Sequence, residues 1–300
     1  MEENFCKTLY VVGTGVKCIP LLFYYNFSCF FILWKYWEKE IKNVISDNYI
    51  NIIDILADKL DLDKSVYRSC IQSKEKFSWH VIYKYTDLFI SSDKDIKSRI
   101  EKPVKKIYKE LGFVIKKDQS FLKSLSPVII KPFFPPIIKK MCALSKPFNV
   151  GPMAAVAGTV NDYISTHLIR YCRSLLIENG GDLFLSSMRD LKVGVYLKNS
   201  YFKNKLVLKI KAKDMPCGLC ASSSTFGHSL SLGKCDLAVV QSDSPIAADA
   251  AATAVANSII TADDIEKSID YFTKIGNLTG LLIVKDNRMG IWGNIELCKN

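Results

Sequence analysis

Asp249 and Thr253 stand four residues apart in the run ADAAATAVAN (248–257), which reads as a helix and therefore puts both oxygens on one face. A carboxylate and a hydroxyl are hard donors. Magnesium takes one or two such protein oxygens and completes its shell with water and phosphate oxygens, so the pair suffices for one ion. The same two residues also suit a structural role, the carboxylate complementing a helix N-terminus and the hydroxyl bonding back to a carbonyl. Further along the alphabet of donors, CGLCASSSTFGHSL (217–230) crowds Ser222, Ser223, Ser224 and Thr225 between Gly218 and Gly227. Hydroxyls and backbone N–H groups in such a loop wrap a phosphate or simply face water. His228 adds a ring donor for a ligand or for an ordinary internal hydrogen bond. No Gly-Lys-Ser/Thr closes the loop, so it is not a P-loop. Cys217 and Cys220 form a lone C-x-x-C, half of a zinc site without a second pair. Asn179, Gly180 and Gly181 follow the apolar run Leu175 to Ile177, where two glycines permit positive φ, either for backbone contact with a flat ligand or for a hairpin turn.

Two helices rich in small residues, 152–164 and 245–260, are expected to position these groups. Each opens on a cap-and-proline pair, Gly151-Pro152 and Ser244-Pro245. Unpaired N–H groups at such starts suit phosphate, and small residues such as Ala154, Gly158 and Ala250 let a ligand or a second helix approach closely.

Taken together, NVGPMAAVAG (149–158), ENGGD (178–182), GLCASSSTFGHSLSLGKCD (218–236), ADAAATAVAN (248–257) and IWG (291–293) resemble a family related to the ApbE-type FAD:protein FMN transferases, over roughly residues 68 to 297 and in the expected order. The resemblance implies an α+β fold, a mixed sheet with helices that binds FAD. It also implies magnesium held by the Asp and Thr of an A-D-x-x-x-T-A element, here Asp249 and Thr253, and a glycine pair beside the flavin nucleotide, here Gly180 and Gly181 after Asn179. Gly151, Gly158, Ser222, Ser223, Thr225 and His228 are the remaining expected cofactor-binding residues. Gly158 and Asp162 resemble the ends of a K-G-x-x-x-D element, but Ala157 replaces its Lys, Ser224 stands where relatives have Gly, and the 218–236 segment is short. Pyrophosphate cleavage needs charge stabilisation that a lost Lys removes. Two readings follow: a magnesium-dependent FAD protein that transfers FMN to a protein acceptor or cleaves FAD, and an accessory protein that binds a flavin or another phosphorylated ligand without turnover.

The supporting elements are read from period and punctuation. Alternation around Trp79 to Tyr85 and the segments 175–185, 193–197 and 206–212 read as strands, and Ile96 to Leu111 and Ala262 to Ile275 as helices. PVIIKPFFPP (127–136) reads as an extended connector, since Pro removes backbone donors. Residues 1–67 differ in texture and are set apart from a 68–300 domain. Within them Cys18 to Trp34 carries no charge over 17 residues, and Ile41, Ile45, Ile52, Leu56 and Leu60 mark a helical stripe. The uncharged segment is short and broken by Pro20 and Asn26, which suits weak membrane association or a single N-terminal anchor. Ten cysteines, irregularly spaced in a chain of 300 residues, fit free thiols in a reducing cytoplasm. The net charge of +11 is local: Lys97 to Lys140 holds twelve basic residues against three acidic ones. Only Arg99 interrupts the lysines there, which speaks against base-reading nucleic-acid recognition and for a solvated face or a general attraction to anions, including anionic lipid in a membrane-tethered scaffold.

Overall fold

A computed structural model of the chain describes residues 9–12, 75–84, 86–197, 199, 201–202, 205–224 and 233–298. The uncharged segment 18–34, the helical stripe after it and the boundary near residue 67 lie outside the described residues. The first of these, Leu9–Val12, form β1. Alternating side chains in β2 (Phe77–Tyr83) set Trp79, Val81 and Tyr83 against the core and leave Ser78, His80 and Ile82 outward; β3 (Thr86–Ser92) pairs with it antiparallel. The chain then forms α1 (Lys97–Lys117), α2 (Gln119–Lys123), α3 (Pro136–Ser145) and α4 (Val156–Leu168). In α1 the buried Ile100, Val104, Ile107, Leu111 and Val114 recur at three- and four-residue steps, so the intervening lysines face solvent.

The remaining strands are β4 (Leu175–Asn179), β5 (Asp182–Ser186), β6 (Leu191–Tyr196), β7 (Lys205–Ile210), β8 (Cys217–Ser222) and β9 (Leu237–Ser242), followed after α5 (Pro245–Ser258) and α6 (Asp264–Phe272) by β10 (Leu278–Lys285), β11 (Arg288–Gly293) and β12 (Glu296–Leu297). They make two sheets. The larger has eight strands in the order β11-β10-β9-β8-β5-β4-β3-β2, every neighbour antiparallel. The smaller has the order β1-β6-β7-β12, with β1 parallel to β6. This is the α+β class that the resemblance implies.

All the larger helices lie against one face of the eight-stranded sheet, where Leu88, Ile90, Ile177, Phe184, Cys220, Val240 and Ile283 join the core made by the helices. The alternate residues Leu183, Leu185, Leu219, Val239 and Leu282 are buried on the other face. Ile295, just before β12, covers part of that face, because a side chain at Gly280 would meet its Cγ1 at 2.7 Å. The structure departs from the sequence reading at three elements. α3 occupies part of the stretch beyond the Pro-rich connector, with Pro136 at its first turn; Cys217–Ser222 is a central strand rather than a loop; and the helix expected from Pro152 begins as a 3-10 turn, Pro152–Ala155, before α4. Among the described residues no helix is long and apolar enough to cross a membrane.

Residues 68–300 contain all the described elements except β1, so expressed alone they are expected to unfold in one cooperative thermal transition. The midpoint should drop by about 2–4 °C for each kcal/mol lost with the β1 pairing. A fragment lacking any cooperative transition, in buffer where the full chain shows one, refutes this autonomy.

Candidate functional site

Pro245, the first residue of α5, is wedged between two glycines. A Cβ on Gly158 of α4 would come within 2.2 Å of the Pro245 carbonyl oxygen, and one on Gly218 of β8 within 2.4 Å of the Pro245 Cα. Backbone therefore meets backbone, and the small residues of both helices serve close packing; Pro245 through Ala252 are all buried. This contact brings the Asp249 carboxylate to the start of α4, where it accepts the Gly158 N–H at 2.8 Å and a further backbone bond from Ala157. Asp249 thus complements a helix start, but that of α4 rather than its own. Four residues on, Thr253 is only partly buried, and its Oγ1 lies 3.5 Å from the Ala154 carbonyl oxygen. The Asp249 carboxylate, the Thr253 hydroxyl and the Ala154 carbonyl are hard oxygens suited to magnesium. Among the described residues no group of three or more His, Cys, Asp or Glu is disposed to hold a metal, so an ion here would draw on hydroxyl, carbonyl and ligand oxygens.

The glycine pair makes the two-residue turn between β4 and β5. Gly180 has φ 64° and Gly181 φ 107°, values that side chains disfavour, so the hairpin alone accounts for both glycines. The turn nevertheless abuts α4: Asn179 accepts from the Thr86 hydroxyl at 3.2 Å and donates to the Ala157 carbonyl at 3.4 Å, while Asn161 of α4 donates to the Asp182 carbonyl at 2.9 Å. Asn179, Gly180, Gly181, Gly158, Asp249 and Thr253 are gathered around the first turn of α4.

Burial dominates the electrostatics of this cluster. It pushes the Asp249 carboxyl up to about 7, against the two N–H groups that lower it. Asp182 is pushed well above its ordinary value by burial first and then by the Asp249 charge, with Glu178 adding to it and the Cys220 thiol and Ala221 N–H opposing. Glu178 itself accepts the Gly181 N–H at 2.9 Å.

Other expected residues fall elsewhere or have other work. The Gly151 N–H donates to the Leu125 carbonyl at 2.9 Å, and a Cβ there would lie 1.8 Å from the Ser124 oxygen, so this glycine serves a chain crossing. Ser222 and Ser223 are buried at the end of β8 rather than in a solvated loop; Thr225 and His228 lie outside the described residues. Asp162 is gripped by Lys140 of α3 through both oxygens, at 3.0 and 2.7 Å. Cys217 and Cys220, three apart on a strand, point to opposite faces; burial raises the Cys217 thiol to about 12 and Cys220 well above its usual range. The sequence alone does not single out Asp182, Asn161 or Lys140, and it points to Ala154 only for its small side chain, not for its carbonyl. Asp182 was visible in the ENGGD string, whereas the others carry no local signal.

The family description "AbpE bacteria" matches residues 68–270, about two thirds of the chain. The chain belongs to that family. A UPF0280 protein of Methanocaldococcus jannaschii is 33% identical to it over 230 residues, which cover 74% of this chain and 93% of the relative. Among solved structures, the ApbE protein of Thermotoga maritima superposes with a TM-score of 0.51 at 13% identity, covering 74% of this chain and 96% of that one. The flavin transferase ApbE of Vibrio cholerae superposes with a TM-score of 0.46 at 10% identity, over 72% of this chain and 96% of that one. The first of these two likenesses shows a shared fold for this family member.

Between the ordinary value near 3.8 and about 7, folded Asp249 holds a proton that the unfolded chain has released. Stability must then fall as pH rises through that window and stay level above it. The thermal midpoint of metal-free protein is expected to drop between about pH 5 and about pH 7.5, and Asp249→Asn to flatten part of the drop. Equal slopes in parent and variant would rule out this proton. The double variant Cys217→Ser/Cys220→Ser is expected to fold and to bind no less zinc than the parent, because the two thiols cannot meet one ion; stoichiometric zinc lost in the variant contradicts this.

Proposed function

We propose that this protein binds FAD together with a magnesium ion at the start of α4. The observation that carries the reading is the convergence there of Asp249, the Thr253 hydroxyl and the Ala154 carbonyl with the Asn179-Gly180-Gly181 turn. These oxygens fit the ion, since hard donors number enough and Thr253 leaves the set accessible on one side. When bound, magnesium supplies charge neutralisation to a pyrophosphate. Asp249 and Thr253 hold the ion, and the N–H groups of Ala157 and Gly158 fix the Asp249 carboxylate in place. The flavin identity of the ligand rests on the motif resemblance.

A second reading, binding without turnover, is favoured by one observation. Ala157 puts a buried methyl where the resembled element has a Lys, and the Lys140 ammonium is committed to Asp162. A cleaved pyrophosphate develops negative charge that those side chains do not meet.

Calorimetry with FAD in magnesium and again in EDTA tests the binding. Asp249→Ala is expected to weaken magnesium-dependent binding by at least about tenfold, or about 1.4 kcal/mol, and Thr253→Val to weaken it less. AMP released from FAD separates transferase or pyrophosphatase chemistry from binding alone. If Asp249→Ala binds FAD as tightly as the parent in both buffers, the ion site is wrong.

A further inference from the structure

The segment from Leu111 to Asn161 carries seven lysines, no arginine and a single acidic residue, Asp118. That one carboxylate is buried and already bonded to Lys131 at 2.6 Å and to Ser120. Six of the seven lysines therefore have no carboxylate within the segment to meet, and of these Lys140 pairs with Asp162 just beyond it.

Amid those lysines the chain displays aliphatic side chains. Ile129 is 85% exposed, Leu125 62% and Ile130 42%. They sit on the connector between α2 and α3, which is fastened on both sides rather than loose. Val128, Phe133 and Phe134 tuck into the core, Phe134 meets Phe121 edge-on, and the Leu125 carbonyl holds the Gly151 N–H. The last turn of α1 joins the same surface: Phe113 meets Phe133 edge-on, and the Lys117 ammonium lies 4.9 Å from the Phe113 ring and 5.3 Å from that of Phe133. A fixed connector that presents branched aliphatics within a lysine-rich stretch matches the boundary of an anionic bilayer. There the aliphatic tips leave water while ammonium groups remain among phosphates.

Two other occupants fit less well. A second copy of the chain would bring two lysine-rich surfaces together. A nucleic acid would meet lysines but would offer nothing to Leu125, Ile129 and Ile130, and Phe113, the ring available for stacking on bases, is covered by Lys117.

We propose that the surface formed by the end of α1, α2 and the 124–135 connector docks on an anionic lipid bilayer, Leu125, Ile129 and Ile130 entering its interfacial zone while Lys116, Lys117 and Lys123 meet the headgroups. This inference is independent of the FAD reading, because it requires no bound nucleotide.

Vesicle flotation with the full chain tests it, using phosphatidylcholine alone and phosphatidylcholine with phosphatidylglycerol at about three to one. Binding is expected to the anionic vesicles only and to weaken as salt rises. Both Ile129→Ser/Ile130→Ser and Lys116→Glu/Lys123→Glu should reduce it by at least about tenfold, whereas Met188→Ser and Lys213→Glu, exposed positions elsewhere, should leave it unchanged. Circular dichroism of each variant secures that loss of binding is not loss of fold. Binding equal in parent and in both surface variants overturns the proposal, as does equal binding to uncharged vesicles. It is likewise overturned if random-sequence DNA binds the parent and only the lysine variant weakens that binding while vesicles float no protein, or if sedimentation shows a dimer that the isoleucine variant dissociates.

Discussion

The contact of Pro245 with Gly158 on one side and Gly218 on the other fixes the spacing of α4, α5 and the centre of the larger sheet. No side chain fits at either glycine without moving backbone, and overpacking of this kind costs about 1–3 kcal/mol. Everything distinctive about the candidate site descends from that closeness. Because α4 and α5 touch through backbone, a side chain as short as aspartate reaches from one to the free N–H groups of the other. A further residue pair, Thr253 with Ala154, meets across the same seam one turn later.

The carboxylates gathered there cost stability. Asp249 and Asp182 are both buried, and burial drives both toward their neutral forms. A fold selected for stability alone would place alanine at these positions, as it does at much of α5. Burial, and for Asp182 the Asp249 charge as well, suppresses ionisation at both positions.

Much of this was legible in the residues. The three- and four-step apolar stripe of α1 and the alternation of β2 declared themselves because each has one face in the core and one in solvent. β8 did not, because Cys217–Ser222 is buried on both faces and made of small residues with glycine among them, so neither alternation nor β-branched content betrays a strand. α3 was hidden for a different reason. Pro135 and Pro136 read as extended chain, yet a proline at the first turn of a helix is also a start signal, and the sequence offered no way to choose. At the site, the local pairing of Asp249 with Thr253 was visible in spacing, and the glycine turn was visible in composition. The partners that define their setting, Asn161, Ala154 and Lys140, come from other elements and required the fold to bring them in.

One backbone bond, from the Ser224 N–H to the Cys235 carbonyl at 2.9 Å, joins the chain just beyond β8 to the chain just before β9. Pairing of the two strands is thereby settled below the intervening stretch, residues 225–232, whatever its length. Closing a longer or shorter connection beyond such a neck changes the entropy of the chain only slowly, so insertions or deletions there are expected to leave the pairing of β8 with β9 intact. The register of the two central strands is held by the bond beneath.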